Sequence, residues 1–171
     1  MVFKITGIIF IIFGGYKLAD NYILSIKERI ENLMEWNKTV TIMQAKIRYQ
    51  LCTIEEICME LSDNPNSDIK RVFDMLNKEI KQSDTRNLKV IWENIIDNEL
   101  EEYKEDDKKR IKMIGYNLGK LDKQMQYENL EMFFRLNDEV IENLKNDYKN
   151  KSKVYRTLGF SISLIIVIVL V

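Results

Sequence analysis

Apolar residues are laid out along this chain in two different ways. At both ends they run on without charge: Ile5 to Tyr16 reads ITGIIFIIFGGY between Lys4 and Lys17, and Leu158 to Val171 reads LGFSISLIIVIVLV. Between the ends they recur at steps of three and four residues, the pattern of helices with one buried face. Ile23, Ile26, Ile30, Leu33, Val40, Met43 and Ile47 form one such stripe. Thr53 followed by Glu56 is a capping box, so a second helix starts there and carries Ile54, Ile57, Cys58 and Leu61. The turn-rich stretch SDNPNSD, with the only proline, ends it. Asp68 is placed to cap a third helix with Ile69, Val72, Phe73, Leu76 and Ile80 on one side. After SDTRN a fourth presents Leu88, Ile91, Trp92 and Ile95, and a fifth carries Ile111, Ile114 and Leu118. The last runs from about Asp122 through Leu130, Phe133, Phe134, Val140, Ile141, Leu144 and Tyr148, and can continue into the tail. No segment alternates as a strand does. The expected fold is all-α, an antiparallel bundle of about six helices flanked by N- and C-terminal transmembrane helices.

The apolar ends set the expected organisation. A bilayer core is spanned by roughly 20 helical residues. Each run is shorter, but long Lys and Arg side chains snorkel and extend it. Counted from Val154 the tail offers 18 residues, roughly 27 Å of helix at about 1.5 Å per residue. A buried core helix would have a polar side, whereas only Ser161 and Ser163 are polar after Thr157. The N-terminal run has the length of a signal-peptide core, yet no A-x-A-like cleavage site follows it. Residues 1–18 therefore read as an anchor, 19–153 as a helical bundle and 154–171 as a second span. Lys145, Lys149, Lys151, Lys153 and Arg156 precede the tail, so the positive-inside rule puts the bundle in the cytoplasm.

Charge and composition narrow the chemistry. All 27 acidic residues lie between Asp20 and Asp147, together with 20 of the 26 basic ones, which gives that middle a charge of −7. Phosphate binding needs a basic surface, so nucleic acid is not an expected partner. The chain has no histidine, which removes imidazole base chemistry and His-containing metal sites. Cys52 and Cys58 stand at a spacing that matches no common zinc or redox motif, and the six glycines form no phosphate-cradling cluster. No catalytic residue, cofactor or metal site is expected.

Two stretches invite functional readings. EEYKEDDKKR, Glu101 to Arg110, reads as a solvated helix start, because its acidic residues come first and its basic ones follow, as the helix dipole prefers. Gly115 and Gly119 have G-x-x-x-G spacing for close helix contact, but Gly119 is equally suited to the C′ position of the fifth helix, before a cap at Asp122. Loops on a rigid scaffold commonly carry contacts, so the region of Asp63 to Asp68 and the segment Gly115 to Gln126 are candidate docking surfaces. A tight turn between helices accounts for the second equally well.

The opening FKITGIIFIIFGG, the stretch MQAKIRYQLCTIEEI (Met43 to Ile57), Trp92, GYNLGKLDKQMQ (Gly115 to Gln126) and the closing LGFSISLIIVIVLV follow one another as in the stage III sporulation protein AB family of endospore-forming bacteria, which the chain resembles over its whole length. The most specific element is the pattern of Gly115, Leu118, Gly119, Asp122 and Gln126. The chain departs from the family at Lys46, where an acidic residue is usual, and at Cys52-Thr53, where Thr-Pro is usual. The resemblance implies a non-enzymatic membrane component of the channel between mother cell and forespore, required for endospore formation, in the mother-cell membrane around the forespore. It is similar to the inner-membrane platform proteins of type II secretion and type IV pilus machines. It implies docking of a secretion-type ATPase, stage III sporulation protein AA, alongside other channel components, and leaves assembly as a homo-oligomer open. From another class, a membrane-anchored helical signalling or sensor protein would need heptads sustained across the middle, which the punctuation at Pro65, Ser83 and Gly119 opposes. A membrane enzyme would need a convergent carboxylate motif that the chain lacks.

Overall fold

The computed structural model of the protein describes residues 2–50, 52–82, 88–118 and 122–170. Among the described residues the chain is all-helical, with six α-helices: α1 Val2–Ala45, α2 Ile54–Leu61, α3 Ser67–Gln82, α4 Leu88–Glu99, α5 Glu105–Ile114 and α6 Lys123–Leu170. A π-helical turn, Lys46–Gln50, extends α1, and a 3₁₀ turn, Gly115–Asn117, extends α5. The expected turn at 83–87 and Gly119 lie outside the described residues. Two compact units divide the chain, Met1–Glu31 with Ile141–Val171, and Asn32–Val140. These follow packing, whereas the expected spans 1–18 and 154–171 concern immersion in a bilayer.

In the unit Asn32–Val140 the helices start and stop for local reasons. The break after α1 survives the absent proline. The helix widens through its π turn, Cys52 N–H reaches the Lys46 carbonyl at 3.3 Å, and Thr53 begins α2 with the full capping box to Glu56. The cap of α3 is Asn66, not Asp68 as expected: its Oδ1 accepts from the N–H groups of Asp68 and Ile69 at 3.0 and 3.2 Å. Asp68 is left free to bind Arg71 and Tyr103.

The core of this unit is centred on three rings. Trp36 and Trp92 meet edge to face at 6.2 Å, and Phe73 lies 5.8 Å from Trp92 and 6.4 Å from Trp36. Leu33, Val40, Met43, Ile57, Leu76, Ile96 and Phe133 are buried with them. Burying side chains of this size is worth about 1.5–3 kcal/mol each, so the cluster supplies much of the drive to fold. One polar group is sealed in with it: Asn137, fully buried, donates from Nδ2 to the Leu33 carbonyl and to Asn37 Oδ1.

The other unit is made of the outer parts of α1 and α6. They approach through small residues four apart on each helix, Gly15 and Ala19 on α1, Gly159 and Ser163 on α6. A Cβ added at Gly15 would lie 2.9 Å from the Gly159 carbonyl oxygen, and one at Gly159 would lie 2.8 Å from Ala19 Cβ. The backbones are therefore in direct contact, the packing mode of helices in lipid. Ser163, buried at this crossing, donates to the Gly159 carbonyl one turn back. Tyr22 and Tyr155 pack edge to face at 4.9 Å, and Arg156 pairs with Asp20 at 3.1 Å. Outward-facing Phe10, Leu18, Ile165 and Val169 are exposed. Both helices are long and apolar enough to cross a membrane, and only 6% of the most apolar stretch of α1 and 11% of that of α6 is buried. The core helix of a soluble protein would be hidden; these faces call for an apolar solvent, and the two helices suggest membrane association.

Candidate docking surface

The Gly115 to Gln126 segment is built as a turn between α5 and α6. Gly115 is the C-cap of α5, with an ordinary φ of −74°. Its glycine is required by space, because an added Cβ would stand 2.2 Å from Trp92 Cδ1. Gly115 thus makes room for an indole. Gly115 N–H turns to the Lys112 and Met113 carbonyls, and the Ile111 carbonyl accepts from Trp92 Nε1 at 3.1 Å. Leu118 is buried in the core cluster. Asp122 caps α6 by accepting from Met125 N–H at 3.1 Å, and Gln126, half-buried, bonds through its N–H to the Asp122 carbonyl. Four of the five motif residues are thus described, and each has a structural part in one turn; Gly119 lies outside the described residues.

The same end of the unit carries a feature that sequence reasoning missed. Arg48, in the π turn, stands 4.9 Å from the ring centre of Tyr127 on α6 and 5.6 Å from that of Tyr49. Lys89, at the start of α4, stands 4.7 Å from the ring centre of Tyr116. Residues 48 and 127 are far apart in sequence, so no local pattern announces their meeting.

The Asp63 to Asp68 region belongs to a second surface. Asp68 accepts from Tyr103 Oη at 3.1 Å and pairs with Arg71, whose guanidinium also meets Glu99. Burial, with the Asp68 charge beside it, pushes the Tyr103 hydroxyl well above its ordinary pKa. These residues line a polar hollow of about 260 Å³ together with Glu101 and Glu102.

The run Glu101 to Arg110 differs from the solvated helix start expected of it. The helix begins only at Glu105, after a turn, and Asp107 and Lys108 are buried. Asp107 pairs with Arg110. Lys108 pairs with Glu105 at 2.6 Å, and that hydrogen bond raises its pKa. Burial pushes the Cys58 thiol up to about 12, which makes it an unreactive packing group. Among the described residues no group of three potential metal ligands comes together.

Residues 4–171 match the family model described as Stage III sporulation protein AB. No curated protein and no solved structure matches the chain. The family is one of sporulation structural proteins and not a known enzyme family, and its members have a role in stage III of sporulation. With the match covering all but the first three residues, the chain belongs to the Stage III sporulation protein AB family.

Proposed function

We propose that this protein is a non-enzymatic platform of the channel between mother cell and forespore, held in the mother-cell membrane by residues 1–18 and 154–171. Residues 19–153 form its cytoplasmic part and dock the secretion-type ATPase, stage III sporulation protein AA. The observation that carries this reading is the pairing of a family match over 4–171 with two largely exposed apolar helices at the ends of an all-helical chain. A bundle tethered at both ends can take up force on a protein surface and deliver it to the membrane. The candidate contacts are the Asp63 to Asp68 region and the turn from Gly115 to Gln126.

The test is co-purification of the full chain, in nanodiscs, with purified stage III sporulation protein AA. Because Asp122 caps α6, its substitution would mix folding with docking; exposed Lys123 and Gln124 are the better sites. Retention of the ATPase by the unmodified chain, reduced by K123E with Q124A at unchanged helicity, supports the reading. No retention with both proteins folded removes the docking role.

A further inference from the structure

Four helix ends come together where α1 finishes and α6 begins. Arg48 ties the π turn to α6 through Tyr127, Lys89 ties the start of α4 to the 3₁₀ turn through Tyr116, and Asn129 donates to the Met113 carbonyl at the end of α5. Two cations over rings thus stand at this end of a domain that is otherwise net acidic; Lys89 also pairs with Glu93 at 3.7 Å, and Arg48 is held by rings alone among the described residues. Tyr49 is 75% exposed and Met125 47% exposed, which leaves apolar area in water beside the cations.

Arg48 is poised differently from the other arginines that grip carboxylates. Arg71, Arg110 and Arg156 each meet an aspartate of this chain. Arg48 is exposed and makes no ion pair among the described residues; aromatic rings hold it instead. A cation held over a ring spends no hydrogen-bond donor on a carboxylate, which leaves the guanidinium N–H groups for one in bidentate geometry. The turn that presents it is π-helical, a rare form that recurs at functional sites.

We propose that this end of the unit Asn32–Val140 seats an acidic segment of a partner protein, with a carboxylate on the edge of the Arg48 guanidinium and the rings of Tyr49 and Tyr127 holding the cation in place. The inference rests on the platform reading only for which protein carries that segment. Lys123, exposed and one turn before Tyr127 on α6, adds a second positive charge to that helix start and favours a run of carboxylates over a single one.

The test uses the full chain in phosphatidylcholine nanodiscs and a fluorescein-labelled octaglutamate peptide, read by anisotropy. R48Q should weaken binding by roughly tenfold, the scale of one charge-assisted contact. R48K, which keeps the charge without the fork, should fall between, and the doubly substituted E101Q/E102Q protein should bind like the unmodified one. Equal affinity of R48Q and the unmodified chain, or no binding by either, overturns the proposal. So does an R48Q defect that appears only with phosphatidylglycerol vesicles or an oligouridine strand. A parallel titration with stage III sporulation protein AA separates the two readings. Arg48-dependent peptide binding without ATPase binding sinks the platform and leaves the seat; ATPase binding indifferent to R48Q, with no Arg48-dependent peptide binding, does the reverse.

Discussion

Asn137 Nδ2 donates a 2.8 Å hydrogen bond to Asn37 Oδ1, joining α6 to α1 across a hundred positions of sequence inside an apolar core. A polar pair at such a place fixes register, because sliding either helix by one turn would leave buried amides without partners.

Replacing Asn137 by Ala should cost about 1–3 kcal/mol, the price of leaving Asn37 Oδ1 and the Leu33 carbonyl short of a donor. The double change of Asn37 and Asn137 to Leu should recover part of that, since it removes the Asn37 acceptor together with its donor and leaves only the Leu33 carbonyl without the Asn137 amide. Urea unfolding of Asn137→Ala, and of Asn37→Leu, Asn137→Leu and their double variant compared as a double-mutant cycle, checks both; a fully additive double variant contradicts the pairing.

Gly115→Ala forces a methyl against the Trp92 ring, which must move away from the Ile111 carbonyl. The expected loss is about 1–3 kcal/mol, as for other overpacked cores, with a red-shifted indole emission. Unchanged melting temperature and emission would contradict the contact.

Gly159→Leu should part the outer segments of α1 and α6, because its side chain enters space already held by Ala19 and the Gly15 backbone. Cysteines placed at Tyr22 and Tyr155, whose rings touch in the native protein, report the separation. Joining them with a short bifunctional thiol reagent that spans the space of the two rings should succeed in the parent and lose most of its yield in the G159L background.

The Cys58 thiol gives a sign to alkaline stability. Its folded pKa, about 12, is above the unfolded value near 8.5. A raised value means that the contribution is complete below pH 8.5 and is lost as pH climbs toward 12, with a slope approaching about 1.4 kcal/mol per pH unit. Cys58→Ala should flatten that part of the stability profile while lowering stability at neutral pH. In the native protein Cys58 should also resist a disulfide reagent that reaches Cys52.

Much of the fold was legible because it is written in local chemistry. The Thr53 and Glu56 capping box, the Asp122 cap and the two charge-free ends all act within a few residues. Some of what was missed was also local. Trp36 stands three after Leu33 and four before Val40, on the stripe already drawn. Asn37, Asn137 and Asp107 likewise occupy apolar-stripe positions, and a polar residue there is a sign of a buried partner. Asn66 and Asp68 can both cap, and only the course of the chain after Pro65 decides between them. The Arg48 cluster and the crossing of Gly15 with Gly159 lie beyond such reading, since each depends on which helices become neighbours.

The two indoles at the centre of the larger unit amount to a built-in optical gauge. Indole rings with centres 6.2 Å apart are close enough for their excited states to couple, so the circular dichroism of this pair should change when either ring turns. Any strain on the helices that hold Trp36 and Trp92 can then be watched in the unlabelled protein as a change in ellipticity.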